Sequence, residues 1–178
     1  MLKSLFAAGA LIAVSSATMF AGAIATNGTW YQFGFGGVGS STYLCPFCST
    51  ATNPVADKTV DSPWTFSGPA TLTVLDLFSS GDRFEVFNWG VSLGLTSAPG
   101  RGGGCGDDIG CALNNANYSI GQFILAGGSH SITIKADTSP FGGGAAVLSA
   151  LAAPVPEPGT IALAGAAIAF LAFRRRSC

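Results

Sequence analysis

The chain has 178 residues, of which 48% are hydrophobic and only 10% are charged. This length holds one domain plus processing segments, and the apolar content excludes an intrinsically disordered protein. Between residues 26 and 153, four basic side chains are outnumbered by eight acidic ones, a net charge of −4 without a basic cluster. Nucleic-acid binding needs clustered Lys and Arg to displace phosphate counterions, so this function is excluded.

Residues 1–25 are predicted to be a secretory signal peptide. Lys3 supplies the positive start, Leu5–Val14 the apolar core, and Ala23 and Ala25 the small residues of a small-x-small cleavage site. An uncleaved membrane anchor is disfavoured because serine and threonine residues interrupt the apolar run. The mature chain is therefore predicted to begin directly after Ala25, in an oxidising compartment.

The body, residues 26–153, is predicted to be all-β, an antiparallel β-sandwich of jelly-roll type. Alternating apolar residues predict strands at 29–35, 70–78, 83–88, 91–95, 119–126, 129–136 and 142–151. Tight turns predict an antiparallel meander over 70–95, and Gly127-Gly128 is predicted to join a hairpin. Residues 97–117 are predicted to be a long loop. The apolar face of such a sheet must be covered by a second layer.

Four cysteines in the body are disulfide candidates. Cys45 and Cys48 form a CxxC motif without the βαβ context of a redox site, so a short-range disulfide is preferred. Pairing with the distant cysteines, and redox or zinc chemistry, stay open as alternatives. Cys105 and Cys111 are expected to close a small ring, which stabilises by roughly 2 kcal/mol in the chain-entropy model.

Three further features raise ligand or catalytic hypotheses that are not favoured. Gly34–Gly39 matches GxGxxG after a strand, but no helix pattern follows, so a glycine-rich loop is preferred. Asp107 and Asp108 suggest calcium, yet they lack EF-hand spacing and fit a solvated loop better. His130, the single histidine, shares the parity of nearby isoleucines and is expected to be buried and hydrogen-bonded rather than a general base. We therefore predict no enzyme activity, no cofactor and no metal.

The C-terminal region, residues 154–178, has three parts in a fixed order. A stiff proline-rich lead-in is followed by the uncharged apolar run Ile161–Phe173, predicted to be a transmembrane helix, and then by an arginine cluster. The lead-in motif consists of Val155, Pro156, Glu157, Pro158 and Gly159. The stop-transfer cluster consists of Arg174, Arg175 and Arg176. Each Arg costs roughly 2.5–3.5 kcal/mol at a bilayer centre, so the cluster is predicted to stay cytoplasmic.

This tripartite order resembles the PEP-CTERM sorting signal of Gram-negative bacteria, which is also labelled the C-terminal domain of ice-binding proteins. The resemblance implies recognition by a membrane transpeptidase of the exosortase class. It also implies a transient stay in the bacterial inner membrane and delivery to the cell surface or extracellular matrix. An ordinary C-terminal membrane anchor is the alternative. The apolar segment is short against the ~20 residues of a normal span.

The body is similar to a recurrent domain that precedes PEP-CTERM tails in secreted bacterial proteins. The similarity is carried by WTFSGPATLTVLDLF, SGDRFEVFNWGVSLGLTS, CGDDIGCAL, FILAGGSHSITI and GGGAAVL. It implies a β domain in an exported protein, and it implies no enzymatic role.

Two functions are therefore weighed for the body. The first is a structural or adhesive protein of the cell surface or exopolysaccharide matrix. The second is a carbohydrate-binding module, which would need exposed aromatic side chains; the candidates are Trp30, Trp64 and Trp89. A hydrolase is disfavoured by the lone histidine and the lack of readable paired carboxylates. Ice binding is disfavoured because Thr71-x-Thr73 is a single instance of the repeat it needs.

Overall fold

The computed structural model describes residues 22–154. The predicted sorting motif Val155–Gly159, the cluster Arg174–Arg176 and most of the predicted signal peptide lie outside the described residues. The elements are β1 (Gly22–Ala23), β2 (Asn27–Gly36), β3 (Thr42–Tyr43), β4 (Trp64–Asp76), β5 (Arg83–Asn88), β6 (Val91–Leu95), α1 (Ile109–Leu113), β7 (Ile120–Thr138) and β8 (Gly143–Ala152).

The strands form one sheet in the order β3-β2-β8-β4-β7-β5-β6, with the short β1 added to β4. All pairs are antiparallel except β1 with β4. The predicted all-β antiparallel class is confirmed. The covering layer that the apolar face requires comes from the sheet itself, which curls into a half-barrel.

The core lies mainly inside this curl. Alternate residues of β2, β4, β5, β7 and β8 point inward, and the aromatic rings of Phe33, Phe35, Trp64 and Phe84 pack there at centroid distances of 4.9–5.9 Å. Such tilted and edge-on pairs add about 0.5–1.5 kcal/mol each beyond area burial. These contacts fix the curvature on which all the sites below depend.

A smaller second core lies on the other face of the sheet. Leu75 and Val147 point outward from the central strands and are covered by the 97–119 segment, chiefly by Ile109 and Tyr118. The Tyr118 hydroxyl donates to Phe78 O at 3.1 Å and accepts from Cys105 N at 2.9 Å. The predicted long loop therefore contains the short helix α1 and closes over the sheet.

The predicted hairpin at Gly127-Gly128 is wrong. β7 runs unbroken from Ile120 to Thr138, and Gly128 pairs with Gly68 of β4. The register shifts between Gly68 and Ala70, and Gly128 adopts a φ of 124°. Ala126 and Gly127 form a bulge opposite Pro69, so both strands bend together instead of reversing.

The predicted meander over 70–95 is wrong in one respect. β5 and β6 are neighbours as expected, but β7 lies between β4 and β5 in the sheet. The turn-like segment 77–82 therefore crosses from one strand to another two places away. A residue on this crossing, Asp82, is buried as a result.

Candidate functional site

The predicted signal-cleavage residues lie where the chain enters the body. Ala23 belongs to β1 and pairs with Thr65, and Ile24 is buried in the main core with its N–H donating to Thr65 O at 2.9 Å. The Ala25 N–H donates to the Tyr31 hydroxyl at 2.9 Å. Cleavage after Ala25, which stays a prediction, would remove the buried Ile24 side chain from the mature protein.

The C-terminal region leaves the body at the same corner. β8 is the strand between β2 and β4, and it ends at Ala152, whose N–H donates to Thr26 O at 2.9 Å. The Ala153 N–H donates to Pro69 O at 2.9 Å. The segment beyond Pro154 therefore follows a central strand almost without a linker.

Both short-range disulfides expected from the sequence are present. Cys45 pairs with Cys48, and Cys105 pairs with Cys111, at Cα–Cα distances of 5.4 and 5.5 Å. Lys58 Nζ donates to Cys48 O at 2.9 Å and so holds the first loop against its neighbour. The second disulfide joins Cys105, before α1, to Cys111 within the helix and fixes the segment that covers the outer core.

One of the two aspartates between Cys105 and Cys111 has a structural role. Asp108 is the N-cap of α1: its Oδ1 accepts from Cys111 N at 2.9 Å, and its Oδ2 accepts from Asn53 Nδ2 at 2.9 Å. These bonds lower the pKa of Asp108, the Cys111 N–H contributing most. Asp107 is exposed. Capping therefore occupies the Asp108 oxygens that a calcium ion would need.

His130 is buried and hydrogen-bonded, as the sequence predicts. Asn88 Nδ2 donates to Nδ1 at 3.1 Å, since Asn88 Oδ1 accepts from Ser131 N. Nε2 then carries the proton and donates to Ala126 O at 2.9 Å, across the bulge. The ring packs on Phe66 with centroids 5.3 Å apart. Both ring nitrogens are engaged, so the imidazole serves to tie the bend in β7.

The three tryptophans have different environments. Trp64 is fully buried, and Trp30 packs against the outer core. Trp89 is 64% exposed, and its Nε1 donates to Ser129 O at 3.1 Å, which holds the indole in place. It borders a groove of about 320 Å³ that is also lined by Phe66, His130 and polar Thr65 and Ser67. Ala23 and Ile24 line it as well, and the predicted cleavage after Ala25 would remove them and widen the groove.

A second groove of about 440 Å³ lies at the opposite end of β8. Four of its ten lining residues are glycines, and the others include Phe35, Tyr43, Phe78 and the disulfide residue Cys48. Tyr43 is 49% exposed at its edge. The lining contains no carboxylate, histidine or lysine, so this groove offers a surface for contact and no acid–base chemistry.

One buried polar centre was missed by the sequence analysis. Asp76 at the end of β4 and Asp82 on the crossing segment are 0% and 3% exposed. Asp76 Oδ2 accepts from Gly81 N at 3.1 Å and from Asp82 N at 3.2 Å. The signal was available, because Asp76 shares the parity of core-facing Leu72 and Val74 in β4.

Burial raises the pKa of Asp76 to about 8, and repulsion from Asp82 adds to the rise. The N–H donors of Asp82, Gly81 and Leu77 oppose this shift and do not overcome it. Burial also raises the pKa of Asp82, while the Ser139 hydroxyl opposes that shift. This centre therefore holds two carboxyl groups in surroundings that disfavour two negative charges.

Within residues 22–154, no helix is long and apolar enough to cross a membrane.

In the same described range, no group of three or more His, Cys, Asp or Glu side chains is arranged to hold a metal ion.

The fold is an all-β domain, and residues 154–178 follow its central strand β8 in the chain. The PEP-CTERM protein-sorting motif matches residues 154–176, as the resemblance implied. No curated protein and no solved structure matches the chain. The motif marks an exosortase-targeted exported protein with a membrane-anchored sorting signal.

Proposed function

We propose that this protein is a non-enzymatic structural or adhesive component of the cell surface or exopolysaccharide matrix. The observation that carries the proposal is the sorting motif at 154–176, placed directly after a central strand of a disulfide-bonded β domain. Low charge and covered cores suit a passive, durable body. The fully engaged imidazole of His130 supports the absence of catalysis.

Deletion of the exosortase-class enzyme in the host tests the route. We expect the chain to accumulate at full length in the inner membrane, whereas the wild-type host delivers a shortened form to the surface or matrix. Replacing Pro156, Glu157 and Pro158 together by Ala should give the same retention in a wild-type host. Normal release from the deletion strain would contradict exosortase processing.

The matrix role is tested separately. A host that lacks this protein should form a matrix that sheds cells more readily under flow, and expression of the wild-type chain should restore cohesion. The chain with the triple Ala replacement should not restore it, although its body is unchanged. Unaltered shedding in the deletion strain would count against a structural role while leaving the sorting route intact.

The second candidate, carbohydrate binding, is favoured by the exposed indole of Trp89. An aromatic ring held beside Thr65, Ser67 and Ser129 combines a stacking surface with hydrogen-bonding neighbours. Host exopolysaccharide should quench tryptophan fluorescence in the wild type and not in Trp89→Ala. Trp30→Phe serves as the matched control and should keep the quenching. Equal quenching in Trp89→Ala would dismiss this groove as a saccharide site.

A further inference from the structure

Three segments bring buried oxygen atoms together at the end of the sheet remote from Ala152, because Asp76 Oδ2 accepts from Asp82 N and the Ser139 hydroxyl acts on the Asp82 carboxyl. Asp76 comes from the end of β4, Asp82 from the crossing segment, and Ser139 from the connection between β7 and β8. Asp76 pairs with Ala146, six residues before Ala152, which places the centre about 20 Å along β8 from the tail.

These oxygens lack well-formed hydrogen bonds, although the Ser139 hydroxyl lies close enough to the Asp82 carboxyl to oppose the rise in its pKa. Among the described residues, four buried side-chain atoms have no hydrogen-bond partner, and three of them are Asp76 Oδ1, Asp82 Oδ1 and Ser139 Oγ. An unsatisfied buried polar atom costs about 1–3 kcal/mol, and more if it is charged. Concentration of such atoms at one place is therefore evidence for a ligand that the oxygens share.

No cationic side chain of residues 22–154 compensates the two carboxylates. The nearest in sequence, Arg83, donates from Nε to Thr96 O at 3.0 Å and places NH1 3.8 Å from Asp137 Oδ2. That ion pair is the one salt bridge in the described residues, and it includes neither buried aspartate. The two negative charges must therefore be balanced by a cation from outside the chain, or one of the two carboxylates must be protonated.

We propose that Asp76, Asp82 and Ser139 form a site for a hard divalent cation, calcium. The donors are all oxygens, which suit Ca²⁺ and are poor ligands for softer transition metals. Ca²⁺ takes six to eight oxygen ligands, so backbone carbonyls and water must supplement the three side chains. Sites of few carboxylates bind weakly, which suits the millimolar calcium outside cells. This inference does not depend on the exosortase route or on saccharide binding.

Calcium at this place would join the crossing segment to the turn before β8. Asp76 Oδ2 already accepts from the N–H groups of Gly81 and Asp82. Its Oδ1 has no hydrogen-bond partner and is therefore the oxygen that would bind the cation. The ion would replace a repulsion between two carboxylates by a shared attraction. We therefore expect binding to stabilise the fold and to leave the sheet unchanged.

The test uses the full chain in a mild detergent, stripped with a chelator and then titrated with CaCl₂. Calcium at ten times its dissociation constant should raise the melting temperature by about 3–6 °C, with a matching calorimetric signal. MgCl₂ should act far more weakly, because Mg²⁺ demands near-ideal octahedral geometry. Absence of heat and of any melting shift up to about 10 mM Ca²⁺ would overturn the proposal.

Variants locate the site. Asp82→Asn should lose the calcium response, whereas the exposed control Asp107→Asn should keep it. A response that survives Asp82→Asn would place the ion elsewhere and refute the assignment. If Asp82→Asn does not fold, Ser139→Ala decides the matter: calcium affinity should fall about tenfold, and an unchanged titration midpoint would contradict the proposal.

Discussion

Two buried centres of this sheet, one around His130 and one around Asp76, are built in opposite ways. At the bend near the termini, each nitrogen of His130 has a partner, and the ring packs against Phe66 at an interplanar angle of 42°. At the other end, Asp76 and Asp82 each leave one carboxyl oxygen without a partner. A centre whose polar atoms are all satisfied within the chain needs nothing from outside. The difference teaches that burial alone is a poor guide to a ligand site. Buried oxygen atoms without hydrogen-bond partners are a better one.

The largest effect is expected from breaking the histidine centre at the backbone. A Cβ at Gly68 would lie 2.7 Å from His130 Nε2 and would collide with Ala126 O. Gly68→Ala should therefore cost about 3–5 kcal/mol of unfolding free energy, measured by urea denaturation, since neither group can move without opening the bend. Gly127→Ala, where the nearest atom is 4.0 Å away, should stay within about 1 kcal/mol of the wild type.

Removal of the acceptor at the aspartate centre should have the next largest effect. Asp76→Ala leaves the N–H groups of Gly81 and Asp82 buried without an acceptor, at a cost of about 2–4 kcal/mol. Asp76→Asn keeps an acceptor oxygen and should lose less in calcium-free buffer. Chemical denaturation of both variants checks the order, and a more stable Ala variant would contradict this account.

Loss of the imidazole alone should cost less. His130→Ala leaves Ala126 O and Asn88 Nδ2 unpaired and removes the contact with Phe66, about 1–3 kcal/mol in total. The variant should unfold earlier in urea and keep its calcium response, because the two centres lie at different ends of the sheet. A lost calcium response in His130→Ala would show that the centres are coupled.

The most gradual effect comes from pH, because it is spread over about four pH units. The folded pKa of Asp76 is raised to about 8 from 3.8, so the folded state binds a proton that the unfolded state releases between these values. Calcium-free stability should fall as pH rises from about 4 to 8, by at most about 1.4 kcal/mol per unit, and then level off. Asp76→Asn should flatten this slope, and a slope of opposite sign would exclude the mechanism.

Local pattern was sufficient to predict where most of the long strands lie and insufficient to predict their partners. β5 and β6 were predicted with the bounds that the structure shows. Their signal is local, because apolar and polar residues alternate within each strand and turn residues flank it. Gly127-Gly128 fits a hairpin turn or a bulge equally well. The choice was made by Gly68-Pro69, some sixty residues away in the chain, which bends at the same level.

The sites show the same limit. Short-range disulfides were predictable because their partners are close in sequence, and the sorting motif because its three parts are contiguous. The helix α1 has five residues, too few for a 3.6-residue period to be visible. The aspartate centre needs Ser139 from a distant segment, and only the parity of Asp76 in β4 signals its burial.

The position of β8 has a mechanical consequence. A body tethered through the segment after Ala152 receives every external pull on a strand bonded along both edges, to β2 on one side and β4 on the other. Force along that strand must shear two ladders at once instead of peeling an edge strand bond by bond. Such an attachment resists unfolding best when the pull runs along β8.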